Sequence, residues 1–70
     1  MLYNFLNDVV AINGISISKD KINGNYIISI NFRNLNYEKN YKKLEYNSFD
    51  VAYKDFIILS GMVESGYNIK

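Results

Sequence analysis

Residues 14–34, GISISKDKINGNYIISINFRN, decide the fold. Apolar and polar residues alternate on both sides of Asn23-Gly24, the period of a strand with one buried face. Asn-Gly is the strongest short signal for a two-residue hairpin turn, because both residues accept positive φ. With such a turn, Ile15 faces Phe32, Ile17 faces Ile30, Lys19 faces Ile28 and Lys21 faces Tyr26. The apolar members then fall on one face of two antiparallel strands. The other face takes Ser16, Ser18, Asp20, Ser29, Asn31 and Arg33, with Ile22 and Ile27 as apolar exceptions. A slip of one residue scatters this set. Ile22 and Ile27 are expected either to lie under an N-terminal helix or to mark a partner patch.

Outward from this hairpin, residues 2–12 read as a helix. Leu2, Phe5, Leu6, Val9 and Ile12 recur at helical spacing, and Asn13-Gly14 tolerates the left-handed conformation that ends a helix. On the other side, residues 34–41 (NLNYEKNY) are rich in turn-forming asparagine and read as a loop. KKLEYNS, residues 42–48, alternates again, with Leu44 and Tyr46 pointing one way and Lys43 and Glu45 the other. A third strand antiparallel to the second follows. Ser48 or Asp50 caps a closing helix, whose apolar face holds Phe49, Ala52, Tyr53, Phe56, Leu59, Ser60 and Val63. Ile57, Ile58 and Met62 widen that stripe. Gly66 ends the helix, and Tyr67-Asn68-Ile69-Lys70 forms a short fourth strand or a docked tail. Gly61 costs the helix about 1 kcal/mol relative to Ala, tolerable where a neighbouring element packs closely.

The expected fold is therefore α+β, a single small domain over residues 1–70: helix, three-stranded antiparallel sheet, helix (α-β-β-β-α). Its expected core is Phe5, Leu6, Val9, Ile15, Ile17, Ile28, Ile30, Phe32, Leu44, Tyr46, Ala52, Phe56, Leu59 and Val63. Hydrophobic residues make up 49% of the chain, more than so small a domain hides easily. Part of that surface is expected on a partner or a homodimer interface.

Several chemistries are missing from the chain. Cys and His are absent, which removes the usual zinc and iron–sulfur ligands and the commonest general base. The carboxylates make no calcium-loop pattern, and the four glycines form no phosphate-binding loop. The expectation is a protein that is not an enzyme and carries no metal and no cofactor. No apolar run reaches the roughly 20 residues of a membrane span, and no basic, apolar export signal opens the chain. A cytoplasmic protein without membrane association is expected. The net charge of +1 argues against both a general DNA-coating protein and a dense acidic mimic of DNA.

RNLNYEKNYKKLEY, residues 33–46, sets Arg33, Lys39, Lys42 and Lys43 among Tyr37, Tyr41 and Tyr46. Tyrosine stacking beside lysine is the pattern of a single-strand nucleic-acid platform. Tyr and Arg are also enriched at protein interfaces whatever the charge, which favours protein contact over nucleic acid as the functional reading of this stretch. A solvated loop and strand edge has the same composition. Tyr46 shares the buried parity of Leu44, and Tyr37 and Tyr41 are placed in the loop. The candidate binding residues are Arg33, Tyr37, Lys39, Tyr41, Lys42 and Lys43.

The overuse of Asn, Ile, Lys and Tyr is that of an A/T-rich genome. With YNFLNDVVAI, ISISKDKINGNYIISINF and FDVAYKDFIILSGMVESG in that order, the chain resembles small phage and mobile-element proteins of the anti-CRISPR type. That resemblance covers most of the length and is one of style, with no shared motif. It implies a protein that binds and sterically blocks a Cas effector or another host defence protein in the bacterial cytoplasm. Two alternatives stand beside it: a small nucleic-acid-binding accessory or regulator, and a homodimeric structural subunit.

Overall fold

A computed structural model of the chain describes residues 2–64. Its elements are α1 (Leu2–Leu6), β1 (Val9–Lys19), β2 (Tyr26–Asn34), β3 (Lys39–Tyr46) and α2 (Phe49–Glu64). The strands form one antiparallel sheet in the order β1-β2-β3. Both helices lie on the same face of it. Phe5 and Leu6 from α1 and Leu59 from α2 pack in one cluster with Val9, Ile12, Ile28, Ile30, Phe32 and Leu44. The α-β-β-β-α order read from the sequence is the order of the fold. Expectations for Gly66 and for Tyr67–Lys70 lie outside the described residues.

The first correction concerns the N-terminus. The helix ends at Leu6, and Val9 already begins a strand. Val9 pairs with Asn34 and Ala11 with Arg33; Ile12 pairs with Phe32 and Gly14 with Asn31. Val10 and Asn13 are therefore extra residues, two bulges in β1. Each bulge reverses the alternation once. Val9, Ile12 and Ile15 consequently face the core at intervals of three, the spacing that imitates a helical stripe in the sequence. Gly14 has no positive φ and ends no helix; it sits inside the strand.

The second correction is the register of the first hairpin. Ile15 pairs with Ile30, Ile17 with Ile28 and Lys19 with Tyr26, two positions away from the expected pairs. A two-residue offset keeps every paired side chain on its expected face, whereas a one-residue slip would not, and Asp20, Lys21 and Ile22 move into the loop. The cause is the turn. A type I′ turn needs positive φ at both central residues, and here only Gly24 (φ 76°) adopts it. Asn23 instead uses its side-chain oxygen to accept from the Asn25 amide at 2.9 Å, and the Asp20 carboxylate accepts from the Ile22 amide at 2.8 Å. A wider loop closed by the Gly24 amide donating to the Asp20 carbonyl (2.8 Å) results. Ile22, expected under a helix or in a partner patch, stands in this loop 96% exposed.

The third correction is that β3 starts at Lys39, not after Tyr41. Only Leu35, Asn36, Tyr37 and Glu38 separate the strands, and the Asn34 amide donates to the Glu38 carbonyl (3.0 Å) to leave a loop of three. Asn34 holds this loop: its side-chain oxygen accepts from the amides of Asn36 (2.9 Å) and Glu38 (3.0 Å), and its carbonyl accepts from Tyr37 (2.9 Å). Tyr37 takes φ 62°, the left-handed position that closes a three-residue hairpin loop and usually belongs to glycine. Arg33 Nη1 donates to the Tyr37 carbonyl at 2.9 Å and holds it there.

α2 starts as expected, its first turn closed by the Ala52 amide donating to the Ser48 carbonyl (3.1 Å). Ala52 and Leu59 are fully buried. Tyr46 lies under the helix, as its parity with Leu44 required, and donates from its hydroxyl to Asp55 Oδ2 at 2.6 Å. Burial first, then this hydrogen bond and the Asp55 charge, push the Tyr46 hydroxyl above the ordinary tyrosine value. Of the expected core, Ile15, Ile17, Tyr46, Phe56 and Val63 are only partly buried against the central cluster, while Val10 and Ile12 are buried and were not expected there. Among the described residues a Cβ built on Gly61 meets nothing within 4 Å, so packing against those residues does not explain this glycine. No helix among the described residues is long and apolar enough to cross a membrane.

Candidate functional site

The sheet has two faces of different chemistry. Strand register places Ile27, Ser29, Asn31 and Arg33 of β2 on the face away from the helices, beside Lys39, Tyr41, Lys43 and Glu45 of β3 and Ser16 and Ser18 of β1. No described element covers this face. Cross-strand pairs tie it together: Arg33 opposes Lys39, Asn31 opposes Tyr41, and Ser29 opposes Lys43. Directly opposed side chains in an antiparallel pair have Cβ atoms about 5 Å apart.

Four of the six candidate residues therefore meet on one surface: Arg33, Lys39, Tyr41 and Lys43. Tyr41, placed in a loop from the sequence, is a mid-strand residue 55% exposed, with Lys39 and Lys43 two positions either side of it. Lys42 has the opposite parity. It lines an open groove along the β3 edge together with Tyr41, Lys43, Asn4 and Asp8. Tyr37 sits at the hairpin tip, exposed. The sequence reading missed Asn13, assigned there to a helix end. The bulge instead puts it beside Asn31 and Lys39, around a depression of about 310 Å³ that Phe32 and Asn40 complete. No local signal marks a bulge, so only the register reveals this neighbour.

The electrostatics follow the same division. The β2–β3 hairpin carries Arg33, Lys39, Lys42 and Lys43 against Glu38 and Glu45, while the first turns of α2 carry Asp50 and Asp55 against Lys54. A net charge near zero conceals this separation. Among the described residues no carboxylate is in ion-pair contact with Lys39, Lys42 or Lys43. Glu45, the acidic member of the uncovered face, accepts from Asn23 Nδ2 (3.2 Å) and Asn25 Nδ2 (2.9 Å) at the far end of the sheet. Glu38 accepts from Asn34 Nδ2 at 3.3 Å.

Lysine on an edge strand also has a structural use, since it discourages sheet-to-sheet pairing. That accounts for Lys39, Lys42 and Lys43 alike, since all three stand on the edge strand β3. It does not account for Asn31 on the central strand, where Arg33 also holds the Tyr37 carbonyl.

A second surface lies along one flank of α2. Phe49, Tyr53 and Ile57, one helical turn apart, are each about half exposed. Phe49 stacks on Tyr53 at 5.5 Å between centroids and meets Tyr26 edge-on at 5.3 Å. Lys19 Nζ stands 5.7 Å from the Tyr26 ring centroid.

No protein-family model, no curated protein and no solved structure matches this chain significantly.

Proposed function

We propose that this domain is a non-catalytic binding module and that its working surface is the uncovered sheet face, which takes nucleic acid. The observation behind this reading is the placement of Arg33, Lys39 and Lys43 around Tyr41 on a face that no described element covers. Three cations against the single carboxylate of Glu45, which is engaged by Asn23 and Asn25, attract a polyanion. The polar Ser16, Ser29 and Asn31 between them give little reason for a protein partner with an apolar surface to settle there.

The test is fluorescence anisotropy of a labelled 20-nucleotide RNA or DNA at low salt. Binding should fall steeply as salt rises, because counterions are released from phosphates. The K39E/K43E variant should lose binding while keeping its circular dichroism. Absence of binding at low salt would remove the reading.

The second reading is the protein-binding inhibitor implied by the resemblance to anti-CRISPR-type proteins. The α2 flank favours it, since an exposed stripe of Phe49, Tyr53 and Ile57 suits a protein interface better than a phosphate backbone. Here K39E/K43E should leave binding intact, and Y53A/I57A should abolish capture of the effector from a nuclease-treated lysate. Sedimentation velocity separates this from the homodimer reading, in which the same flank meets a second copy.

A further inference from the structure

We infer that the ligand of the uncovered face is a short single strand, with a base stacked on Tyr41 between phosphates on Lys39 and Lys43. This rests on the nucleic-acid reading above and names the form of nucleic acid. Three observations carry it. Tyr41 is exposed in mid-strand and lies on the same face as the two lysines. An aromatic in that position contributes only if a base is unstacked and available to it, as in a single strand. Bases inside a duplex present no free π-face to a side chain lying on the sheet.

The second observation is the depression beside it. Asn31 directly opposes Tyr41, and Asn13 and Lys39 share the depression with it. The Asn13 and Asn31 amides make no side-chain hydrogen bond among the described residues. Each offers a donor and an acceptor to the edge of an unpaired base.

The third observation is length. Lys39 and Lys43 are four strand positions apart, about 13 Å. With Arg33 of β2 across from Lys39 of β3, the cationic track is two strands wide, about 5 Å, and short. A duplex offers phosphates on two rails across a groove about 12 Å wide, and nothing on this face supplies the second rail. The footprint should be roughly two to four nucleotides, at or below the lower limit of about 4 per OB fold. Three phosphate contacts give a log–log salt slope of about −2.

The experiment compares a labelled hexamer (dT₆ and rU₆), a 20-nucleotide single strand and a 20-base-pair duplex at low salt. It uses the full chain, Y41A, Y41F and K39A/K43A, each checked by circular dichroism. The expected result is single-strand binding with the hexamer within about threefold of the 20-mer per site. Y41A should weaken it roughly tenfold and Y41F should restore it. K39A/K43A should flatten the salt slope to about −0.7. Duplex binding as tight as single-strand binding, with Y41A and Y41F alike, would overturn the single-strand inference and leave the nucleic-acid reading standing. No binding to any of the three would take both down.

Discussion

The two faces of the sheet are built from alternate residues of the same strands, yet they follow opposite rules. The covered face holds Ile28, Ile30, Phe32 and Leu44 under the two helices, and its buried members touch one another closely. The uncovered face holds Ser29, Asn31, Arg33, Lys39, Tyr41 and Lys43, whose side chains are mostly exposed. Stability resides on the first face, so the second is available for selection by a ligand. A period of two is what lets one stretch of chain serve both purposes.

The comparison breaks first on the covered face. Ile30→Ala or Leu59→Ala, both at fully buried positions, should cost about 2–5 kcal/mol. A domain of this length has a total of roughly 4–10 kcal/mol. Urea denaturation followed by circular dichroism should therefore show a large fall in midpoint or outright unfolding. A loss below about 1 kcal/mol would mean that the helices do not seal this face as described.

Tyr46→Phe should cost about 1–2 kcal/mol, because it leaves the half-buried Asp55 carboxylate without its hydroxyl donor. The pH dependence has a defined sign. The folded state raises the Tyr46 pKa, so its contribution is complete below the ordinary tyrosine value of about 10 and is lost as pH rises above it. The two stability curves should run parallel from about pH 8 to 10 and draw together above it, closing fully only as pH passes the raised folded value.

Two changes in exposed backbone should stabilise. Gly61→Ala places a methyl where nothing among the described residues lies within 4 Å and should add about 1 kcal/mol, or about 4–8 °C in Tm. Tyr37→Gly relieves the positive φ of the hairpin tip and should add up to about 1 kcal/mol. Thermal melts check both. Destabilisation by Tyr37→Gly would mean that the Tyr37 ring contributes more to the fold than its exposure implies.

The smallest effect on stability sharpens the contrast most. K39A/K43A should change it by less than about 0.5 kcal/mol while removing most nucleic-acid affinity. Equal damage to both would erase the distinction between the faces.

The architecture was legible because Leu44, Ile28 and Ile30 alternate cleanly with polar neighbours and because the Phe49–Val63 stripe has helical spacing. The face of each hairpin residue survived even the wrong register, since an offset of two conserves parity. What was illegible depended on backbone choices that leave no mark in the side-chain pattern. The bulges at Val10 and Asn13 turned a strand into an apparent helix. Asn23 chose a side-chain hydrogen bond over a left-handed backbone, and Tyr37 took the conformation expected of glycine. The candidate site was half legible: its residue types stood out in residues 33–46, but which of them share a face depended on the short β2–β3 loop. That loop separated Lys42 from Arg33, Lys39, Tyr41 and Lys43.

The decisive measurement is an ¹H–¹⁵N NMR titration of the labelled protein with dT₆. Shifts concentrated at Asn31, Arg33, Lys39, Tyr41 and Lys43, with α2 silent, are the result expected if the uncovered face is the working surface. Shifts confined to Phe49, Tyr53 and Ile57, or no shifts at millimolar ligand, would contradict it.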